Sequence, residues 1–302
     1  MLEASTSRLA INVSRAGRLG FIAGGTDPAT LNHRLEESKQ LSYKTFNCRP
    51  QLFNSSFRSL APVISAHKPA VVWLFAPKAE EDLREWAMRI RDATDGLAPI
   101  CVQVGSLVEA EPSVALAEPN FLVLQGLDAG GHGRRQSASI MSLVLEVKDR
   151  LAAISKAGAH VVLAAGGIGD ARDVAAALVL GADGVAMGTR FLVSEEAGIP
   201  EVWKGETMET GDGGVTTTRS TLCGRLKENH DWSAIYDGRA IRNKGHDDEE
   251  GDMVDDENVR LYKEDLKPGD SAWGVHLFRN RCWPGPLGPA STVYYGKEYP
   301  TP

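Results

Sequence analysis

Through the middle of the chain, short apolar runs alternate with longer stretches in which apolar positions recur every three or four residues. Ala70-Val71-Val72-Trp73-Leu74-Phe75 reads as a strand between Pro69 and Pro77, and Glu80 to Ala93 as an amphipathic helix. Ile100 to Val104 is the next strand, with a short helix at Leu107 to Ala110, and Phe121 to Leu124 the one after. A helix over Ile140 to Ala157, a strand at His160 to Ala164, a helix from Asp170 to Leu180 and a strand at Gly184 to Met187 complete the series. Strands this uniformly apolar are buried on both faces, as in a parallel sheet flanked by helices. The repeated strand–helix order predicts a (β/α)8 barrel or a doubly wound sheet.

The pattern is weaker at both ends. Arg15 to Ile22 reads as a turn running into a short strand, and Pro28 to Leu41 as a helix with Asp27 at its N-cap. Ser42 to Ser59 has no clean period and is assigned no element. After Ser194 the rhythm fails. Residues 1–194 are therefore read as the barrel, and 195–302 as a smaller, partly irregular appended region.

Length and composition narrow the class. The 302 residues hold ample material for a large core, and the longest apolar run, Val174 to Ala182, is far short of the ~18 residues of a membrane span. A formal charge of −7 comes almost wholly from eight acids between Asp247 and Glu257, a run expected to be a solvated loop. With the rest of the chain near neutral, a broad basic nucleic-acid footprint is absent. Cys48, Cys101, Cys223 and Cys282 are scattered without metal spacing, as are six of the seven histidines, which points to reduced thiols and an intracellular protein. The expected setting is cytoplasmic. A Ser/Arg-rich start leaves organellar targeting open.

Three loops at strand carboxyl ends, where parallel α/β folds meet their ligands, carry unusual residues. Gln125 to Gly133 holds four glycines and His132. Such a histidine can donate hydrogen bonds or take a proton near neutral pH, or it can simply face solvent on a flexible turn. Ala165-Gly166-Gly167-Ile168-Gly169 and Met187-Gly188-Thr189-Arg190 follow consecutive strands. Most Gly-Gly turns are only turns, but two such loops in tandem match the phosphate site of barrel enzymes, with backbone amides at a helix N-terminus. The first is not a dinucleotide fingerprint: Gly167-Ile168-Gly169 matches G-x-G, but Arg172 stands at the third glycine position.

Together, Gly126-Leu127-Asp128-Ala129-Gly130-Gly131-His132, Ala164-Ala165-Gly166-Gly167-Ile168 and Gly181 to Leu192 resemble the nitronate monooxygenase family, as do Thr218 to Thr221 and Tyr236 to Ala240. The resemblance runs from about Ser14 to Arg242. It implies a TIM-type (β/α)8 barrel with FMN as cofactor, and an oxidoreductase that converts alkyl nitronates and O2 to a carbonyl compound and nitrite. It further implies that Gly166, Gly167, Gly188 and Thr189 hold the FMN phosphate, that Gly130 and Gly131 line the cofactor, and that Gln103 and Gln125 contact it. His132 matches the family's active-site histidine. The expected partners are a small nitronate or nitroalkane and O2, with no nucleic acid and no membrane; a homo-oligomer is left open.

The chain also departs from the family. Nothing before Ser14 matches its opening Ala-Pro-Met-type strand, Ser14-Arg15-Ala16-Gly17-Arg18 stands where Ser-Asn-Ala-Gly-Gly is usual, and no third strand is legible between Leu41 and Phe57. The barrel is therefore expected to be N-terminally incomplete: truncated, completed by a partner, or degenerate. Two alternatives stand beside the leading reading. One is a related FMN barrel that reduces quinones or enoyl thioesters with NAD(P)H. The other is a non-catalytic barrel that keeps only its phosphate loops.

Overall fold

The computed structural model describes residues 4–25, 27–41, 49–53, 57–154, 160–227, 232–265 and 294–295, with backbone alone at 49–53, 57–59, 264–265 and 294–295. The chain opens with α1 (Ser7–Arg15), β1 (Phe21–Gly25), α2 (Pro28–Leu41), β2 (Arg49–Phe53), α3 (Phe57–His67), β3 (Val72–Phe75) and α4 (Asp82–Ala93). It continues through β4 (Ile100–Val104), α5 (Leu107–Ala117), β5 (Phe121–Gln125), β6 (Gly131–Arg134), α6 (Ile140–Ile154), β7 (Val161–Ala165), α7 (Ala171–Val179) and β8 (Gly184–Ala186). A 3-10 turn (Thr189–Phe191) leads to α8 (Glu201–Glu209), α9 (Gly213–Thr216), β9 (Thr217–Ser220), α10 (Leu222–Leu226) and β10 (Tyr236–Ile241). The last elements are α11 (Lys244–Glu250), α12 (Asp255–Asp265) and β11 (Tyr294–Tyr295).

β1, β2, β3, β4, β5, β7 and β8 pair in that order, all parallel, and β11 adds antiparallel to β8. This is the sheet of a TIM-type barrel, with seven parallel strands among the described residues. Alternation along each strand divides its side chains between two cores. Val72, Leu74, Ile100, Val102, Leu122, Leu124, Val162, Ala164 and Val185 pack outward under the helices. Trp73, Phe75, Cys101, Val123, Leu163, Ala165 and Ala186 fill the interior. Gln103 falls on the inward register of β4, a polar side chain in a strand buried throughout.

The start of the chain touches both ends of the parallel array. Ser5 O accepts from Ala23 N of β1 at 3.2 Å, and Ala4 O accepts from Gly198 N, beyond β8, at 3.2 Å. Thr6 caps α1 by accepting from Leu9 N, while its hydroxyl donates to Glu196 O at 2.6 Å. Gly20 lets β1 pass beneath α1, since a Cβ there would stand 1.9 Å from the Ala10 carbonyl oxygen.

Several expectations need correction. The stretch left without an element contains β2, which pairs parallel between β1 and β3. α5 runs seven residues past its expected end at Ala110, and α1 and α3 were not expected at all. The glycine loop after β5 contains the strand β6, which belongs to a second, antiparallel sheet with β10 and β9. The acidic run faces solvent as expected but is not a loop: α11 and α12 absorb most of it, and Arg242 pairs with Asp247 and Glu250 while Arg225 pairs with Glu249 and Asp255. Cys48 and Cys282 lie outside the described residues, whereas Cys101 and Cys223 are buried. No helix among the described residues is long and apolar enough to cross a membrane.

The tight crossing at Gly20 makes a stability prediction. Gly20→Ala should lose about 1–3 kcal/mol, because the backbone of α1 must move. Gly205→Ala, in α8 with nothing within 4 Å of its Cβ, should gain about 0.5–1 kcal/mol. Urea unfolding of the two variants beside the parent checks both signs.

Candidate active site

The carboxyl ends of β4, β5, β7 and β8 bring the expected residues to one mouth of the barrel. Gln103 is 8% exposed, and its Oε1 accepts from the Trp73 indole N–H at 3.1 Å. Gln125 ends β5, and its Nε2 donates to the His132 carbonyl at 3.2 Å. Gly133 permits that contact, because a Cβ there would lie 2.7 Å from the Gln125 Oε1.

From Gly126 the chain turns back on itself before forming β6. Gly126 N donates to Ala165 O at 2.8 Å, tying this loop to the end of β7. β6 then pairs antiparallel with β10, His132 opposite Gly238 and Arg134 opposite Tyr236. Two networks hold the strand. In one, Arg219 of β9 donates its Nε to Asp237 Oδ1 at 2.8 Å, its Nη1 to Leu127 O at 3.2 Å and its Nη2 to Gly133 O at 3.2 Å. In the other, Glu109 of α5 accepts from Gly105 N at 2.7 Å, Arg134 at 2.6 Å and the Tyr236 hydroxyl at 3.1 Å. Burial, reinforced by the Glu109 charge, pushes the Tyr236 phenol up. It therefore remains a neutral donor.

His132 lies flat on Trp232, with ring centroids 3.9 Å apart and planes 1° from parallel. Trp232 rests on Phe75 at 6.0 Å and Tyr236 at 5.9 Å, at the top of the inner core. Burial, joined by the positive charges of Lys227 and Arg219, lowers the His132 imidazole to about 3. The ring is thus neutral across the neutral pH range.

The two glycine loops leave neighbouring strands, with Ala165 of β7 opposite Ala186 of β8. Gly166 and Gly167 take φ of +98° and +73°, a region open to glycine. At Gly166 a Cβ would also stand 2.9 Å from the Ala129 Cβ. The N-terminus of α7 differs from expectation. Asp173 accepts from Gly169 N at 2.9 Å and Asp170 N at 3.2 Å, while Asp170 accepts from Arg172 N at 2.8 Å, so the helix caps itself. The amides available to an anion precede it: those of Gly166, Gly167, Gly188 and Thr189 have no acceptor among the described residues.

Comparison with known proteins then settles the kinship. The nitronate monooxygenase family model matches residues 80–225. Nitronate monooxygenase npaC of Metarhizium robertsii is 37% identical over 88% of this chain and 77% of its own length. The nitronate monooxygenase of Neurospora crassa is 35% identical over 88% and 78%. The chain belongs to the nitronate monooxygenase family. Among solved structures, FabK from Thermotoga maritima superimposes with a TM-score of 0.70 at 26% identity, over 92% of this chain and 82% of that one. A nitroalkane oxidase from Streptomyces ansochromogenes shares the fold, with a TM-score of 0.69 at 20% identity over 91% and 86%.

Within this nitronate monooxygenase-family barrel, the fit to FMN, the family's cofactor, can be judged from the residues. The paired loops present open amides with no side chain over them, and the nearby carboxylates Asp170 and Asp173 are spent on capping. Gln103, Gln125 and His132 stand at the strand ends beside them. These residues fit the group. Trp232 and the bracing pair Arg219 and Asp237 were not expected from the sequence. A signal for all three existed, since they lie within or just before the two family-like segments at 218–221 and 236–240.

The lowered imidazole has a consequence for stability. In the unfolded chain His132 takes a proton near its ordinary 6.5, and in the folded chain only near 3. Between these values the unfolded state holds the extra proton, so the contribution of this residue falls as pH falls. His132→Asn lacks that term. The difference in unfolding free energy between parent and variant should therefore shift against the parent from pH 7 to pH 4.5, as followed by urea titration at each pH.

Proposed function

We propose that this chain binds FMN and oxidises alkyl nitronates with O2 to a carbonyl compound and nitrite. The reading is carried by His132: a half-buried, neutral imidazole held on its own strand at the barrel mouth, beside the two open-amide loops. Its support from kinship is the nitronate monooxygenase named in two relatives at 35–37% identity.

Bound FMN would supply the two-electron redox chemistry. Gly166, Gly167, Gly188 and Thr189 hold its phosphate through backbone amides, Gly130 and Gly131 line it, and Gln103 and Gln125 hydrogen-bond to it. His132 donates a hydrogen bond to a nitronate oxygen. With a neutral nitroalkane it accepts the α-proton instead, at whichever ring nitrogen faces the substrate. Lys227 and Arg219 place positive charge around the imidazole, which favours an anionic substrate. The scattered cysteines of the sequence, without metal spacing, support a cytoplasmic setting.

The deciding experiment is anaerobic mixing of the FMN-loaded protein with propyl-2-nitronate and, separately, with NAD(P)H. Bleaching of the flavin by the nitronate is expected. Bleaching by NAD(P)H alone would replace this reading with a quinone or enoyl reductase, and a protein that takes up no FMN would leave a non-catalytic barrel.

Two variants test the residue roles. Gly167→Val sets a branched side chain at φ +73°, and should abolish tight FMN binding while the far-UV circular dichroism stays unchanged. His132→Asn should keep FMN yet lose about 10²-fold or more in flavin reduction by a neutral nitroalkane. With a preformed nitronate, which needs no proton removed, the loss should be smaller.

A further inference from the structure

The His132 imidazole and the Trp232 indole lie in a parallel stack, with centroids 3.9 Å apart and planes 1° from parallel. The face of an indole attracts a cation through its ring quadrupole, so this contact strengthens when the imidazole takes a proton.

The surroundings fix the indole. It packs on Phe75 and Tyr236, whose rings are themselves 5.6 Å apart and nearly perpendicular. The Tyr236 hydroxyl is tied to Glu109. β10 sets only Gly238 opposite His132, so the wall beside the imidazole is supplied by Trp232. A stack covers the ring face and leaves both nitrogens, which point outward in the ring plane, clear of the indole.

We propose that Trp232 is a positioning residue, which fixes the plane of the His132 imidazole and stabilises the cation that this ring becomes on accepting a proton. The proposal rests on the reading of His132 as the acceptor of a nitroalkane α-proton. It adds the group that offsets the cost of the proton at a half-buried ring.

The test uses Trp232→Leu and Trp232→Phe beside the parent and His132→Asn. By proton NMR of the cofactor-free protein, the His132 Hε1 signal should lie upfield of the other histidines in the parent, shifted by the indole ring current. It should move downfield in Trp232→Leu. In the FMN-loaded protein, Trp232→Leu should lower kcat/KM for a neutral nitroalkane about tenfold, the scale of a desolvated cation–π contact, with a smaller change for the preformed nitronate. Trp232→Phe should recover most of the loss. An unshifted Hε1 signal in the parent, a full nitroalkane rate in Trp232→Leu, or equal losses on both substrates would overturn the proposal. If His132→Asn shows its loss while Trp232→Leu shows none, only the role of Trp232 fails. If His132→Asn shows no loss, the proton-acceptor reading fails and the role of Trp232 falls with it.

Discussion

One guanidinium holds the site together. Where the chain leaves β5 and folds back into β6, Arg219 donates to the Leu127 carbonyl in the loop and to the Gly133 carbonyl in the strand while paired with Asp237. Both side chains are nearly buried, Arg219 at 10% and Asp237 at 6% exposure. Such a pair is no large net gain over apolar packing, but removing one partner strands a buried charge at a cost of about 3–5 kcal/mol. The strand that carries His132 thus depends on residues about 85 to 105 positions further along the chain. Glu109 braces its other end through Arg134 and Tyr236, and the imidazole between these two anchors has little freedom left.

The barrel contributes something different. Its strands alternate between a helix-facing and an inward register, and the inward positions are apolar until the carboxyl end is reached. There Gln103 and Gln125 interrupt the pattern. A glutamine on an inward register must find partners, and these find Trp73 and the His132 backbone. The polar ring at the mouth is therefore built into the strand ends as well as into the loops that follow them.

How much of this could be read in advance follows from the kind of signal each part emits. β3, β4, β5, β7 and β8 are short, apolar and bounded by turn residues, so their period is plain. β2, Arg-Pro-Gln-Leu-Phe, is neither apolar throughout nor alternating, and its place is set by the strands on either side. β6 reads Gly-His-Gly-Arg, which has no strand propensity at all; it exists because β10 pairs with it and Arg219 braces it. The acidic run looked like a loop because the bases that answer it, Arg225 and Arg242, lie outside it. The glycine loops and His132 were legible because their chemistry is local, whereas Trp232, Arg219 and Glu109 act on His132 across long sequence separations.

The self-capped α7 changes how an anion would be held. A free helix N-terminus attracts phosphate through its open amides and its dipole together. Here Asp170 and Asp173 already occupy that end, complementing the dipole and taking the amides of Gly169, Asp170 and Arg172. Attraction must then come from the amides of the Gly166-Gly167 turn and from Gly188 and Thr189 on the adjacent strand end. These are fixed by backbone geometry alone, Gly166 being wedged against Ala129 with no room for a side chain. Ala129 lies in the same β5–β6 loop that Arg219 secures, so the Gly166-Gly167 turn and the strand bearing His132 share one support, the five residues from Gly126 to Gly130.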